Sequence, residues 1–81
     1  MSVVAFITDF GTVDWFVGSM KAVVLGIDRG FQFVDITHQV PAGDVEAGAF
    51  VLRSSFCAFP PGTVFVAVID PGVGGQRRAL V

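Results

Sequence analysis

Three short apolar runs constrain this chain most: VVAFI at 3–7, FQFVDI at 31–36 and VFVAVI at 64–69. None shows the strict apolar–polar alternation of a strand with one wet face. Short, continuous runs of Val, Ile and Phe are the mark of strands covered on both faces, as in parallel sheets. Two stretches with helical spacing separate them. Phe16, Met20, Val23 and Ile27 form one stripe, and Val45, Ala49, Leu52 and Phe56 repeat the same intervals. Thr12 or Asp14 can cap the first helix, and Gly30 stands as its stop; Asp44 sits at the N-cap of the second, which Pro60, Pro61 and Gly62 end. A Gly-rich turn then leads into a fourth strand. The order βαβαβ predicts an α/β fold: a three-layer α/β/α arrangement around a mostly parallel sheet with right-handed crossovers.

At 81 residues the chain holds at most one domain, yet 53% of it is hydrophobic. A domain this small hides that much apolar surface only with help, either in a tight oligomer or as part of a longer chain. The closing residues, Arg77 to Val81, read as a strand just beginning. The expectation is therefore that residues 1–81 are one part of an α/β domain in a longer chain.

Net charge is −2 and the five basic residues are scattered, so there is no basic stripe for nucleic acid. No apolar run reaches the roughly 18 residues that a membrane helix needs. Asp9 interrupts the apolar start and no basic residue precedes it, which makes a poor signal peptide. The single cysteine, Cys57, reads as core beside the second stripe and suits a cytoplasmic location.

In open α/β sheets ligands bind beyond the carboxyl ends of the strands. That rule selects Asp9 after the first strand, His38 after the second, and Asp70 to Arg77 after the third. Asp9 can accept hydrogen bonds from vicinal ribose hydroxyls, or it can close an Asx-turn or cap a helix. Arg77 can orient the Asp70 carboxylate and help bind a water, or the two can form a structural salt bridge. His38 can be a general base, but a structural hydrogen bond to loop backbone is the favoured reading. Trp15 and Phe16 either cover an aromatic ligand or pack in a core or interface. The segment holding Gly72, Gly74 and Gly75 fits neither the P-loop nor the dinucleotide fingerprint, and it leads into a strand rather than a helix N-terminus. Nucleotide triphosphates and dinucleotides are rejected on that ground. No His, Cys and carboxylate set has metal-ligand spacing.

Several motifs together carry a family resemblance. They are Thr8-Asp9-Phe10-Gly11, Asp14, Val17 to Lys21, Val34-Asp35-Ile36-Thr37-His38, Asp44-Val45 with Gly48-Ala49, Phe59 to Thr63, and Val68 to Gly74. In this order they resemble the S-adenosylmethionine hydroxide adenosyltransferases, whose relatives include the fluorinases and chlorinases. The resemblance implies that water attacks C5′ of the ribose and displaces methionine, giving adenosine and L-methionine with no cofactor. It implies that Asp70 and Arg77 position the water, with a family His further along that is not His38. It implies that Asp9 holds the ribose hydroxyls and that Asp14 lines the site. Because the halogenating relatives lack the equivalent of Asp70, it favours water over halide. It further implies that residues 1–81 are a partial N-terminal α/β domain with a C-terminal domain outside them, and a homotrimer with each site between the N-terminal domain of one subunit and the C-terminal domain of the next. A noncatalytic adenosine-binding protein and a halide-using relative are the alternatives. Two departures stand out: Trp15-Phe16 where relatives often carry Pro-Tyr or Asp-Ser, and Gly43 where they commonly carry Phe or Trp.

Overall fold

The computed structural model describes residues 2–12 and 14–70 and the backbone of 79–80. Its elements are β1 (Val3–Thr8), α1 (Phe16–Ile27), β2 (Gln32–Thr37), α2 (Val45–Ser55), a 3₁₀ turn (Phe56–Ala58), β3 (Val64–Ile69) and β4 (Ala79–Leu80). The strands lie in the order β2-β1-β3-β4. β1 runs parallel to both β2 and β3, while β4 pairs antiparallel with β3. The expected α/β fold is present: three parallel strands, two helices and a short antiparallel addition.

The sequence runs match strand position. β1 is central, and Val4 through Thr8 are all buried, so no polar face interrupts its apolar run. β2 stands at one end of the strand order, and its mixed composition follows, with Gln32, Val34 and Asp35 exposed. Successive residues of a strand face opposite sides. Ile7 pairs with Ala67 and joins Ile69 and Val40 in a core against which Ile36 and three α2 residues, Ala47, Val51 and Leu52, pack. On the other side the Phe6 ring meets Phe33, with centroids 5.6 Å apart. The ammonium of Lys21, from α1, lies 5.9 Å from the Phe33 ring centre on that side.

Both helices use a different stripe from the one their large residues predict. In α1, Val23 and Ile27 are 67% and 79% exposed. The half-buried positions are instead Val17, Met20, Lys21 and Val24. Apolar residues surround this helix on nearly every side, so counting them cannot orient it. In α2, Val45, Ala49 and Phe56 are exposed, and Ala47, Gly48, Val51 and Leu52 face the sheet. A Cβ added at Gly48 would lie 3.0 Å from Cγ1 of Ile69. Close approach of helix and strand therefore needs a residue without a side chain at that point, and an apolar count passes over it.

The ends of the elements were partly legible. Asp44 caps α2 as expected, accepting a bond from the Ala47 N–H at 2.9 Å. Trp15, not Thr12 or Asp14, is the N-cap of α1, and it supplies no side-chain bond. Asp28 stops α1 in extended conformation, and its carboxylate then accepts the Gly30 N–H at 2.8 Å. The Pro60 carbonyl accepts the Thr63 N–H at 3.3 Å, with Gly62 at φ +87°. That is the backbone demand of a type II turn, with Pro61 and Gly62 in its two central places. Cys57 is exposed rather than core, because α2 gives way at Phe56 to a tighter turn that leaves the helical stripe.

Candidate functional site

β2 and β3 flank β1 on opposite sides, so the chain reverses direction across β1. The carboxyl ends of β1 and β3 lie side by side at that switch point, the place where open α/β sheets bind ligands in a crevice. Asp9 and Asp70 each follow directly on one of those two strands.

A single oxygen organises the crevice. Oδ2 of Asp9 accepts the Gly43 N–H at 2.9 Å and the Asp70 N–H at 3.1 Å. One carboxylate thus joins the loops that follow β1, β2 and β3. Gly43 takes φ +74° to present its N–H, a conformation that costs glycine little. The other oxygen, Oδ1, makes no hydrogen bond among the described residues. Asp9 is therefore neither an Asx-turn nor a helix cap: the Gly11 N–H goes to the His38 carbonyl at 2.7 Å instead. Asp70 is half-buried.

Two of the four site residues expected from sequence are thus brought together. Asp14 is exposed in the loop before α1 and shares no hydrogen bond with Asp9, Gly43 or Asp70 among the described residues. Arg77, with the glycines of 71–78, lies outside the described residues.

His38 serves structure. It is 5% exposed, and both ring nitrogens are engaged. Nδ1 meets the Thr8 hydroxyl at 2.7 Å and Nε2 meets Oδ1 of Asp35 at 2.8 Å. Thr8 Oγ1 also accepts the Phe10 N–H at 3.2 Å. A hydroxyl that accepts there is best satisfied by donating its proton to Nδ1, which assigns the His38 proton to Nε2 and directs it to Asp35. The favoured reading of His38 holds, with side chains rather than loop backbone as its partners. The loop carrying Asp9 is consequently anchored twice to His38, through its carbonyl and through Thr8.

Asp35 completes the chain of contacts, with Oδ2 2.7 Å from Nζ of Lys21. Its burial pushes the carboxyl up, but hydrogen bonds from Lys21 and His38 outweigh that and hold it below 3.8, its ordinary value. A lowered value gives stability that is complete above the ordinary value and is lost as pH falls through the folded one. Wild type and Asp35→Asn should therefore differ in melting temperature at about pH 6 and converge below about pH 4, a comparison that calorimetry across that range makes directly. Thr8 and Asp35 stand in the family motifs and Gly43 among the departures, but the sequence assigns no role to their polar groups. The one available signal was a polar residue at the end of, or inside, an apolar run.

Phe10, Phe16 and Trp15 stand beside the first loop, with ring centroids 5.9 Å apart for Phe10–Phe16 and 5.4 Å for Trp15–Phe16. Trp15 is 71% exposed, which removes the core reading for it. Among the described residues no three His, Cys, Asp or Glu side chains gather as a metal group. No helix among them is long and apolar enough to cross a membrane.

The chain is similar to known proteins over most of its length. An (R)-S-adenosyl-L-methionine hydrolase of Salinispora arenicola is 43% identical over 77 residues, covering 95% of this chain and 29% of the relative. One of Methanocaldococcus jannaschii is 38% identical over 85 residues, covering 100% and 32%. The chain thus spans about three tenths of the length of these curated relatives. A crystal structure of a conserved hypothetical protein from Thermus thermophilus superposes with a TM-score of 0.82 at 40% identity, over 98% of this chain and 33% of that one. The family model for the SAM hydroxide adenosyltransferase N-terminal domain matches residues 4–81, a span that includes every strand end forming the crevice, and the chain belongs to that family.

Proposed function

We propose that this domain supplies half of a site that hydrolyses S-adenosyl-L-methionine. The observation that carries the reading is the Asp9 carboxylate at the β1–β3 crevice, fixed through Oδ2 with Oδ1 left to a ligand, directly beside Asp70. Oδ1 accepts the ribose hydroxyls. Asp70, with Arg77, orients a water in line with the C5′–S bond. A new C5′–O bond forms as the C5′–S bond breaks, the electron pair leaves on sulfur as neutral methionine, and one proton is released. Adenosine and L-methionine result. The leaving group is already activated as a sulfonium, so positioning supplies much of the acceleration and no cofactor is called for. Asp14 adds a further carboxylate suited to a cationic substrate. The relatives named as hydrolases support water as the nucleophile.

The same proposal includes a homotrimer with sites between subunits, working in the cytoplasm. The exposed Trp15, Val23 and Ile27 of the α1 region support burial against another chain or domain. Light scattering on the protein carrying this domain tests the trimer.

The function is tested by incubating that protein with S-adenosylmethionine and separating the products. Equal amounts of adenosine and methionine are expected. Absence of adenosine, or a nucleoside formed only when halide is added, overturns the reading.

A further inference from the structure

We propose that Asp9 is also the positioning residue for Asp70, so that one side chain both holds the ligand and places the residue that orients the attacking water. This rests on the reading above of the crevice as the hydrolytic site. The observation is the division of labour between the two carboxylate oxygens. Oδ2 receives the Asp70 N–H at 3.1 Å and the Gly43 N–H at 2.9 Å, from loops 61 and 34 residues away in the chain. Oδ1 makes no hydrogen bond among the described residues. Asp70 lies one residue beyond the end of β3, and the Asp9 carboxylate holds its N–H there. A hydrogen bond to a charged acceptor is about twice as strong as a neutral one, which suits a single oxygen serving two amides. Ligand hydroxyls on Oδ1 and the Asp70 amide on Oδ2 then share one rigid planar group. Their relative placement is set by the carboxylate itself.

The two duties are separable by substitution. In Asp9→Asn the amide oxygen has to face the two N–H donors, because the NH2 group accepts nothing. The clamp survives, and the NH2 replaces Oδ1 toward the ligand. Loss of the charged acceptor there should raise KM about tenfold or more, with kcat within about threefold. Asp9→Ala has neither oxygen. Misplacement of Asp70 by about 1 Å should then lower kcat about 100-fold or more, in addition to the KM effect. Amide hydrogen exchange reads the clamp independently of turnover. The Gly43 and Asp70 amides should be protected in wild type and Asp9→Asn, and exposed in Asp9→Ala.

Unchanged protection in Asp9→Ala, or an equal fall of kcat in both variants, overturns the proposal. Should Asp9→Ala fail to fold, Asp9→Asn still decides it: a large fall in kcat with the two amides protected is incompatible with a positioning role carried by Oδ2. A wild type that releases no adenosine overturns the hydrolytic reading, while the exchange measurement continues to judge the clamp.

Discussion

Asp70→Ala is expected to lower kcat for S-adenosylmethionine hydrolysis by about 10²- to 10⁴-fold, the range for a positioned group that handles the proton of an attacking water. KM should move by no more than a few-fold. The split follows from which atom of Asp70 is held by Asp9. Asp9 holds the backbone N–H of residue 70, not its carboxylate, and alanine keeps that N–H. The Asp9 contacts to Gly43 and to the residue 70 backbone therefore survive, and what disappears is the carboxylate proposed to orient the water. The side chain lies beyond the last residue of β3 and is half-buried, so truncation leaves the Ile7–Ala67–Ile69 core untouched. Steady-state kinetics and a melting curve decide the matter together. A variant that turns over at the wild-type rate but melts earlier would make Asp70 a structural residue and remove the carboxylate from the mechanism.

The sequence indicated this arrangement unevenly, for physical reasons. Strands came out well because a central parallel strand has no wet face: Val4 to Thr8 are buried together, and an unbroken apolar run is the direct imprint of that. Asp9 and Asp70 were accessible by the same route, since they end two such runs and the crevice rule needs only strand order. Helix faces were not legible. Orientation of α1 is decided by Lys21, which reaches Asp35, and that of α2 by Gly48, which allows contact with Ile69. Neither residue contributes to an apolar stripe. The clamp was hidden more deeply still. Its donors are backbone N–H groups, present at nearly every residue, and only the positive φ of Gly43 distinguishes one of them.

Thr8, His38 and Asp35 form the other polar device at this edge, and His38→Leu is expected to cost about 2–4 kcal/mol of stability. Leucine fills much of the imidazole volume, so the penalty comes from polar groups. Thr8 is fully buried, and its hydroxyl proton loses the Nδ1 acceptor at 2.7 Å with no water in reach. An unsatisfied buried donor costs about 1–3 kcal/mol by itself. Asp35 loses its bond from Nε2 but keeps Lys21 and solvent, so its share is smaller. If desolvation is the cause, removing the orphaned hydroxyl should return part of the stability, since replacing both partners by apolar groups of similar shape is nearly neutral, less the loss of the Phe10 N–H bond to Oγ1. Thr8→Val added to His38→Leu should accordingly recover about 1 kcal/mol or more relative to His38→Leu alone, a coupling of the size seen for groups sharing one network. Urea unfolding of the two single variants and the double variant measures it. Simple additivity of the two losses would mean that the Thr8–His38 bond holds nothing. A general base would give a different signature: kcat collapsing in His38→Leu with stability unchanged. With the ring 5% exposed and both nitrogens committed to protein partners, His38 has no nitrogen to offer a substrate, and its influence on turnover has to pass through the loop that carries Asp9.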